Sequence, residues 1–279
     1  MRHPRLSAGG LAGLPPLVAV AHGSKDPRAA ATISQLLTLV RSRALARGPA
    51  GPDVHAAFLD HCAPSLPQVL SAVADAGECL VAPLLLTAAY HSKTDIPARI
   101  AAGCAPAGLA VRYADPLGPH PLLLNALERR LAEAGVAVSD PAVRARTGVV
   151  LAAAGSSDPA ANATIAALAA RWQADRGWRA VVPGYASAAG PRPDEAVRAL
   201  RAGVPGGPVV VATYLLAPGY FADKIAAAAR AAGAAAVSAA LGAAPEVARV
   251  ILDRYAAALR GSAPLPACAA LSGRIVARA

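Results

Sequence analysis

The sequence has few cysteines, few aromatic side chains and no long run of large apolar residues. Its 279 residues include 4 cysteines, which lie far apart without a Cys-x-x-Cys pair, so their spacing indicates neither a zinc site nor a disulfide framework. Aromatic residues make up 4% of the chain, and much of the 55% hydrophobic fraction is alanine. The most alanine-rich stretch, residues 225–244, is broken by Arg230 and Gly233, which predicts a soluble helix and not a membrane span of roughly 20 strongly apolar residues.

Two further absences argue against export and against nucleotide binding. Residues 1–16 contain Arg2 and Arg5, but glycines and a Pro-Pro pair interrupt the apolar run that a signal peptide needs. We therefore expect a disordered N-terminal tail and a cytoplasmic protein. Neither of the glycine-rich phosphate-binding motifs, Gly-x-x-x-x-Gly-Lys-[Ser/Thr] or Gly-x-Gly-x-x-Gly, is present, so the sequence does not support nucleotide binding.

Acidic residues are also few: 17 Asp and Glu stand against 27 Lys and Arg, which gives a formal net charge of +10. Such a charge attracts any polyanion and does not by itself distinguish nucleic acid, an acidic membrane or a small polycarboxylate. The arginines are scattered over helix-like segments without the interleaved aromatic residues of a single-strand binder. We expect a monomer with no nucleic-acid or membrane partner, whose charge is mostly solvated surface.

An internal repeat organises the chain. The decapeptide VAVAHGSKDP, which begins at Val18, is matched by VLAAAGSSDP, which begins at Val150, 132 residues later (150 minus 18). The segments LLLTAAY at 84–90 and YLLAPGY at 214–220 match in the same way, as do LGPHP at 117–121 and LGAAP at 241–245. Three matches in the same order predict duplication of a unit of roughly 125 to 130 residues, the size of a single domain.

Each unit alternates short apolar runs with helical periodicity, the pattern of βαβ units and a parallel sheet. The first unit predicts strands at 17–21, 54–59, 79–86 and 109–113, and the strand order stays open. The fold class is therefore α/β, with two tandem doubly wound lobes and the active-site cleft between them, because ligands of such sheets sit outside the carboxyl ends of the strands. The predicted segments are a tail at 1–16, a catalytic lobe at 17–138, a linker at 139–147, a second lobe at 148–260 and a flexible tail at 261–279.

Polar side chains follow the first three predicted strands at their carboxyl ends. His22 follows the first strand, Asp60 and His61 the second, and His91 the third. Two imidazoles and a carboxylate that converge on a cleft can bind Fe²⁺, Co²⁺, Ni²⁺ or Zn²⁺, and imidazoles also accept protons near neutral pH. If its strand continues, His61 points to the other face, because successive side chains alternate; a structural position is preferred for it, as for His55 and His120.

The repeat argues that two of these histidines are functional. Ala154 matches His22 and Phe221 matches His91, although the surrounding Gly, Ser, Asp, Pro and Tyr persist in the second copy. If the histidines served the fold, the second copy would be expected to retain them. Their joint loss predicts one active site, in the first lobe.

These residues belong to an ordered set of motifs that resembles the sirohydrochlorin chelatase family in its duplicated two-lobe form. The motifs are His22-Gly-Ser, Phe58-Leu-Asp with Pro64, Pro83-Leu-Leu-Leu, His91 with Asp95-Ile-Pro97, and Leu117-Gly118. The resemblance implies a lyase that inserts Fe²⁺ or Co²⁺ into sirohydrochlorin without ATP, for siroheme or cobalamin, and that has no permanently bound cofactor. His22 and His91 match the family's two active-site histidines, and Asp60 stands where members commonly have Glu.

The substrate implied by this resemblance is a polycarboxylate, so cations near the strand ends are candidate clamps through charge-assisted hydrogen bonds. The candidate substrate-binding residues are Ser24, Lys25, Arg28 and Lys93, and the candidate metal ligands are His22, His91 and Asp60. The tyrosines Tyr185, Tyr214 and Tyr220, with Phe221, either wall the cleft or pack the core. The main alternative function is a non-catalytic metal or tetrapyrrole carrier on the same scaffold; a nucleic-acid binder and a protohaem ferrochelatase are less favoured.

Overall fold

The fold is seen in a computed structural model that describes residues 13–46, 51–88, 95–104, 108–203 and 206–261. The first half contains β1 (Leu17–Ala21), α1 (Pro27–Leu45), β2 (Val54–Phe58), α2 (Leu66–Ala72), β3 (Glu78–Pro83), α3 (Ile96–Cys104), β4 (Ala110–Tyr113) and α4 (Pro121–Glu133). The second half contains α5 (Pro141–Arg146), β5 (Gly148–Ala153), α6 (Pro159–Arg176), β6 (Ala180–Tyr185), α7 (Pro193–Gly203), β7 (Val209–Tyr214), α8 (Tyr220–Ala231), β8 (Ala236–Val237) and α9 (Pro245–Gly261).

The described strands form two parallel four-stranded sheets with the same topology. Their orders are β2-β1-β3-β4 and β6-β5-β7-β8, and every neighbouring pair is parallel. β1, β5 and β7 are buried along their whole length, as expected for parallel strands that are covered by helices on both faces. The predicted α/β fold class with two doubly wound lobes is confirmed.

Local sequence explains where the first helix of each lobe begins. Asp26 and Asp158 have extended backbone, and their carboxylates accept the N–H groups of Arg28 and Ala160, while a proline occupies the first helical position. A proline there costs no hydrogen bond, because the first N–H groups of a helix have no partner within the helix. In each lobe the helix therefore starts after the same short turn that follows β1 or β5.

The two lobes exchange their last helices. One face of the first sheet is covered by α2 and α3 and the other by α1 and by α9 from the second half, which packs against β3 and β4. The second sheet is covered on one face by α7 and α8 and on the other by α6 and by α4 from the first half, which packs against β7. One hydrophobic core therefore runs through the layer between the sheets. The predicted division into contiguous lobes at 17–138 and 148–260 does not account for this exchange.

Two local predictions need correction. The helix expected over 225–244 ends at Ala231; Gly233 follows with a φ of 86°, and β8 then pairs with β7 to complete the second sheet. The third strand ends at Pro83 and not at 86. The predicted linker 139–147 contains α5, which Asp140 caps. Residues 1–12 and 262–279, which hold most of the two predicted tails, lie outside the described residues.

None of the described helices combines the length and the apolar character that crossing a membrane requires.

Candidate functional site

A cavity of about 850 Å³ lies between the carboxyl ends of the two sheets. Its walls are mainly apolar, and both lobes contribute to them. From the first lobe it is lined by the residues that follow β1, by His61 and by residues 84–87; from the second it is lined by residues 153–157, Ala188 and residues 214–222. Its volume lies in the range of roughly 300–1,000 Å³ that is typical of small-molecule sites.

His22 lies on the first-lobe wall of this cavity and is exposed. Its position follows directly from β1, which ends one residue earlier, and its carbonyl accepts the N–H of Asp60 at 2.9 Å, which extends the β1–β2 pairing. The His22 Nδ1 lies 3.2 Å from the Gly23 carbonyl oxygen. This contact favours the tautomer with the proton on Nδ1 and the lone pair on Nε2, the form that can ligate a metal or accept a proton.

The Gly-Ser-x-Asp-Pro motif builds the same turn beside the cavity in both lobes. The Ser24 hydroxyl accepts the Asp26 N–H at 3.1 Å, and the Asp26 carboxylate accepts the Arg28 N–H at 2.9 Å. In the second lobe the Ser156 hydroxyl accepts the Asp158 N–H, also at 3.1 Å. The serine that was predicted to bind substrate does line the cavity, but its hydroxyl oxygen already holds this turn.

The predicted carboxylate ligand, Asp60, does not line the cavity, whereas the adjacent His61 does. The Asp60 carboxylate accepts from the Arg99 guanidinium at 3.2 Å, and Arg99 also donates to Asp95 at 2.8 Å and to the Leu59 carbonyl. The hydrogen bond to Asp95, and to a lesser extent the one to Asp60, raises the pKa of Arg99 above its ordinary value. Asp60 is therefore held in an ion-pair network and is not presented to the cavity.

His61 does not follow the alternation expected of a strand, because β2 has already ended at Phe58. The chain instead makes a tight turn in which the Cys62 N–H donates to the Asp60 carbonyl at 2.8 Å, and His61 has a φ of 63°. This left-handed backbone is uncommon for residues other than glycine, although histidine adopts it more often than most. The alternation that would turn His61 to the other face required a continued strand, and without it His61 lies on the cavity wall.

The candidate basic residues divide into two groups. Lys25 is exposed and lines the cavity. Arg28 is not among the lining residues: its guanidinium pairs with Asp26 and, at 2.6 Å, with Asp223 at the start of α8, so it bridges the two lobes. These hydrogen bonds, first to Asp26 and then to Asp223, raise the pKa of Arg28. His91 and Lys93 lie outside the described residues, and their predicted roles stay predictions.

The second lobe supplies an aromatic wall where the first lobe supplies histidines. Tyr220 and Phe221 line the cavity with 73% and 39% of their surface exposed. Their rings stack edge to face at 5.6 Å. Tyr185 and Tyr214 are buried instead, and their hydroxyls donate to the Asn162 and Leu86 carbonyl oxygens. The exposed pair provides contact area for a flat apolar ligand, and the buried pair belongs to the scaffold, with Tyr214 also lining the cavity.

The remaining histidines of the described chain have structural surroundings. His55 Nε2 lies 2.8 Å from Asp53, and His120 caps α4 by accepting the Leu122 N–H at 3.2 Å. No cluster of three or more His, Cys, Asp or Glu side chains suited to a metal ion is found within the described ranges.

Comparison with known proteins identifies the family. The CbiX family model matches residues 16–134 and again 148–258, so the chain belongs to the CbiX family and carries two copies of its domain. A comparison with curated proteins found no match.

Several solved structures share the fold. SirB from Bacillus subtilis with Fe³⁺ is 24% identical with a TM-score of 0.71, over 87% of this chain and 94% of that one. SirB from Bacillus subtilis subspecies spizizenii, a sirohydrochlorin chelatase in complex with cobalt, is 22% identical with a TM-score of 0.67, over 88% and 95%. CbiX, described as the terminal enzyme for siroheme biosynthesis in denitrifying bacteria, is 22% identical with a TM-score of 0.60, over 87% and 98%.

Proposed function

We propose that this protein inserts Fe²⁺ or Co²⁺ into sirohydrochlorin without ATP, with the metal and the tetrapyrrole both as substrates. The observation that carries the proposal is the cavity between the lobes, which has histidine on one wall and an exposed aromatic pair on the other. Membership of the CbiX family supports the same reaction. The chelatases among the similar structures, which hold Fe³⁺ or cobalt, support these metals.

The chemistry of metal insertion explains the composition of the two walls. Two pyrrole N–H protons must leave, and the hydrated metal must exchange water for macrocycle nitrogens. A site for this reaction needs bases and weak, exchangeable ligands near the macrocycle centre. His22 lies on the cavity wall with its tautomer set by Gly23, and we assign it both roles. His91 is assigned the matching role from the sequence.

The substrate would be held by apolar contact on one side and by charge at the rim. Tyr220 and Phe221 offer ring surfaces to the flat macrocycle. Lys25 is the described cation that lines the cavity, and it is placed to pair with peripheral carboxylates. Arg28 would have to break its ion pair with Asp223 before it could bind substrate. We therefore assign Arg28 a structural role, which is to hold the two lobes together.

The proposal is tested by mixing the protein with sirohydrochlorin and either Fe²⁺ or Co²⁺ under anaerobic conditions and following the absorbance change of metal insertion. We expect acceleration over a no-enzyme control, and the ratio of the two rates indicates siroheme or cobalamin as the product's destination. Tetrapyrrole binding without acceleration would contradict the enzyme and favour the carrier.

Replacement of the cavity histidine should separate catalysis from folding. We expect His22→Ala to lower the insertion rate by at least about 100-fold, the usual loss when a positioned base is removed, with an unchanged urea midpoint because the side chain is exposed. His55→Ala is the matched control, since His55 lies on β2 away from the lining residues. Equal turnover in the two variants would contradict the role of His22.

A further inference from the structure

We infer that His61, and not Asp60, is the side chain that joins His22 in holding the metal beside the macrocycle during transfer. This inference rests on the proposed chelatase function. It assigns a metal-handling role to a side chain that lines the cavity beside His22.

His61 lies beside His22 at the cavity. His61 and His22 line the same wall of the cavity, and the hydrogen bond from the Asp60 N–H to the His22 carbonyl places the two chain segments side by side. Among the residues that the structure describes, no side chain forms a hydrogen bond or ion pair with the His61 ring. Asp60, in contrast, is engaged by Arg99 and does not line the cavity.

The duplicated lobe contains the same turn without a histidine. Ala188 occupies the place of His61, with a φ of 57° and the same bond from the N–H of the following residue to the carbonyl of the preceding one, at 2.7 Å. The left-handed turn therefore belongs to the scaffold in both lobes and does not require histidine. The imidazole is present only in the lobe that keeps His22, and Ala154 and Ala188 replace both histidines together in the other lobe.

Imidazole ligands suit a metal that must be passed on to the macrocycle. Neutral imidazoles bind Fe²⁺ and Co²⁺ without adding charge, and a partial set of protein ligands leaves coordination positions for water and for the incoming pyrrole nitrogens. As four metal–nitrogen bonds to the macrocycle form, the metal–imidazole bonds break and two pyrrole protons leave to bases. A carboxylate already paired with Arg99 would have to break that ion pair first, whereas His61 would not.

Metal binding without tetrapyrrole tests the assignment independently of turnover. Co²⁺ is titrated anaerobically into the full-length protein, with calorimetry and the visible absorption of Co²⁺ as readouts. We expect His61→Ala to weaken Co²⁺ binding by at least about tenfold, because loss of a partner that only supports a ligand already costs roughly 10–100-fold. Asp60→Asn should change the affinity by much less than His61→Ala.

Two controls make the comparison sharp. His61→Ala should fold, because Ala188 shows that alanine is accommodated on the same backbone; the urea midpoint checks this. His55→Ala removes an imidazole from β2, away from the cavity lining, and should leave the Co²⁺ affinity unchanged.

The outcomes separate this inference from the function on which it rests. If the wild-type protein does not insert metal but His61→Ala still weakens Co²⁺ binding, the ligand assignment stands and the chelatase proposal fails. If the wild-type protein inserts metal while His61→Ala keeps both its Co²⁺ affinity and its rate, the assignment is overturned. A greater loss of affinity in Asp60→Asn than in His61→Ala, or no Co²⁺ binding by the wild-type protein, would also overturn it.

Discussion

At the residue scale, Gly23 ties the candidate site to the backbone of the first lobe. It has a φ of +88°, and a Cβ added there would lie 1.8 Å from the Asp60 carbonyl oxygen. Gly155 has the equivalent position in the second lobe, with a φ of +83° and 1.9 Å to the Ser187 carbonyl oxygen. Each glycine is therefore required by a close approach of two chain segments as well as by its own conformation.

We expect Gly23→Ala to lower the free energy of unfolding by at least about 2 kcal/mol, because left-handed strain and overpacking each cost of order 1–3 kcal/mol. The new methyl group should also displace the turn that carries His61 and so weaken Co²⁺ binding. Gly155→Ala is the matched control. We expect it to lose a similar amount of stability in urea and to change the Co²⁺ affinity much less. Equal effects of the two variants on Co²⁺ binding would contradict this local coupling.

At the element scale, α4 depends on a titratable cap. The His120 Nδ1 accepts the Leu122 N–H, which requires a neutral ring with the proton on the other nitrogen. Burial, and then the positive charge of Arg254, lower the pKa of His120 below its ordinary value of 6.5. The folded protein thus favours the neutral form, in agreement with the role of the side chain as an acceptor.

This cap predicts a dependence of stability on pH. Between pH 6.5 and the lower pKa of the folded protein, the unfolded chain binds the proton and the folded protein does not, so stability is full above about pH 6.5 and falls as the pH decreases. His120→Asn keeps a good capping side chain without a titratable group, so its urea midpoint should fall less between pH 7.5 and 5.5. The same decrease in both proteins would contradict the assignment to His120.

At the scale of the whole molecule, the exchange of α4 and α9 makes each lobe depend on the other. The large apolar side chains of α9 that are buried in the shared core are Val247, Val250, Ile251, Leu252 and Tyr255. Burial of such a side chain contributes about 1.5–3 kcal/mol. The summed contribution of the five is therefore comparable with the net stability of a whole protein, roughly 5–15 kcal/mol.

A chain that ends at residue 244 should therefore lose the structure of its first lobe, although every residue of that lobe is present. We expect the amides of β1 and β3 to exchange with deuterium much faster than in the full chain, because α9 no longer covers β3 and β4. The amides of β6 are the internal control. Since α9 does not cover β6, these amides should keep more of their protection from deuterium exchange. If the β1 and β3 amides stayed protected in the shortened chain, the first lobe would not need α9 for its structure.

The sequence by itself determined the repeat, the fold class and the place of His22. The apolar runs of β1 and β5 and the Asp-Pro pairs after them are local signals, so strand ends and helix starts can be read without any knowledge of packing. The repeat then separates what the scaffold needs, such as the shared Gly-Ser-x-Asp-Pro turn, from the histidines that only one copy keeps.

Only the tertiary structure decided the strand order, the helix exchange and the direction of His61. Strand order and the exchange of α4 and α9 depend on contacts between distant segments, which leave no periodicity in the sequence. β8 has two residues, too few for a pattern, and owes its place to pairing with β7. His61 lines the cavity and Asp60 does not, because β2 ends at Phe58 and because Arg99, 39 residues away, pairs with the Asp60 carboxylate.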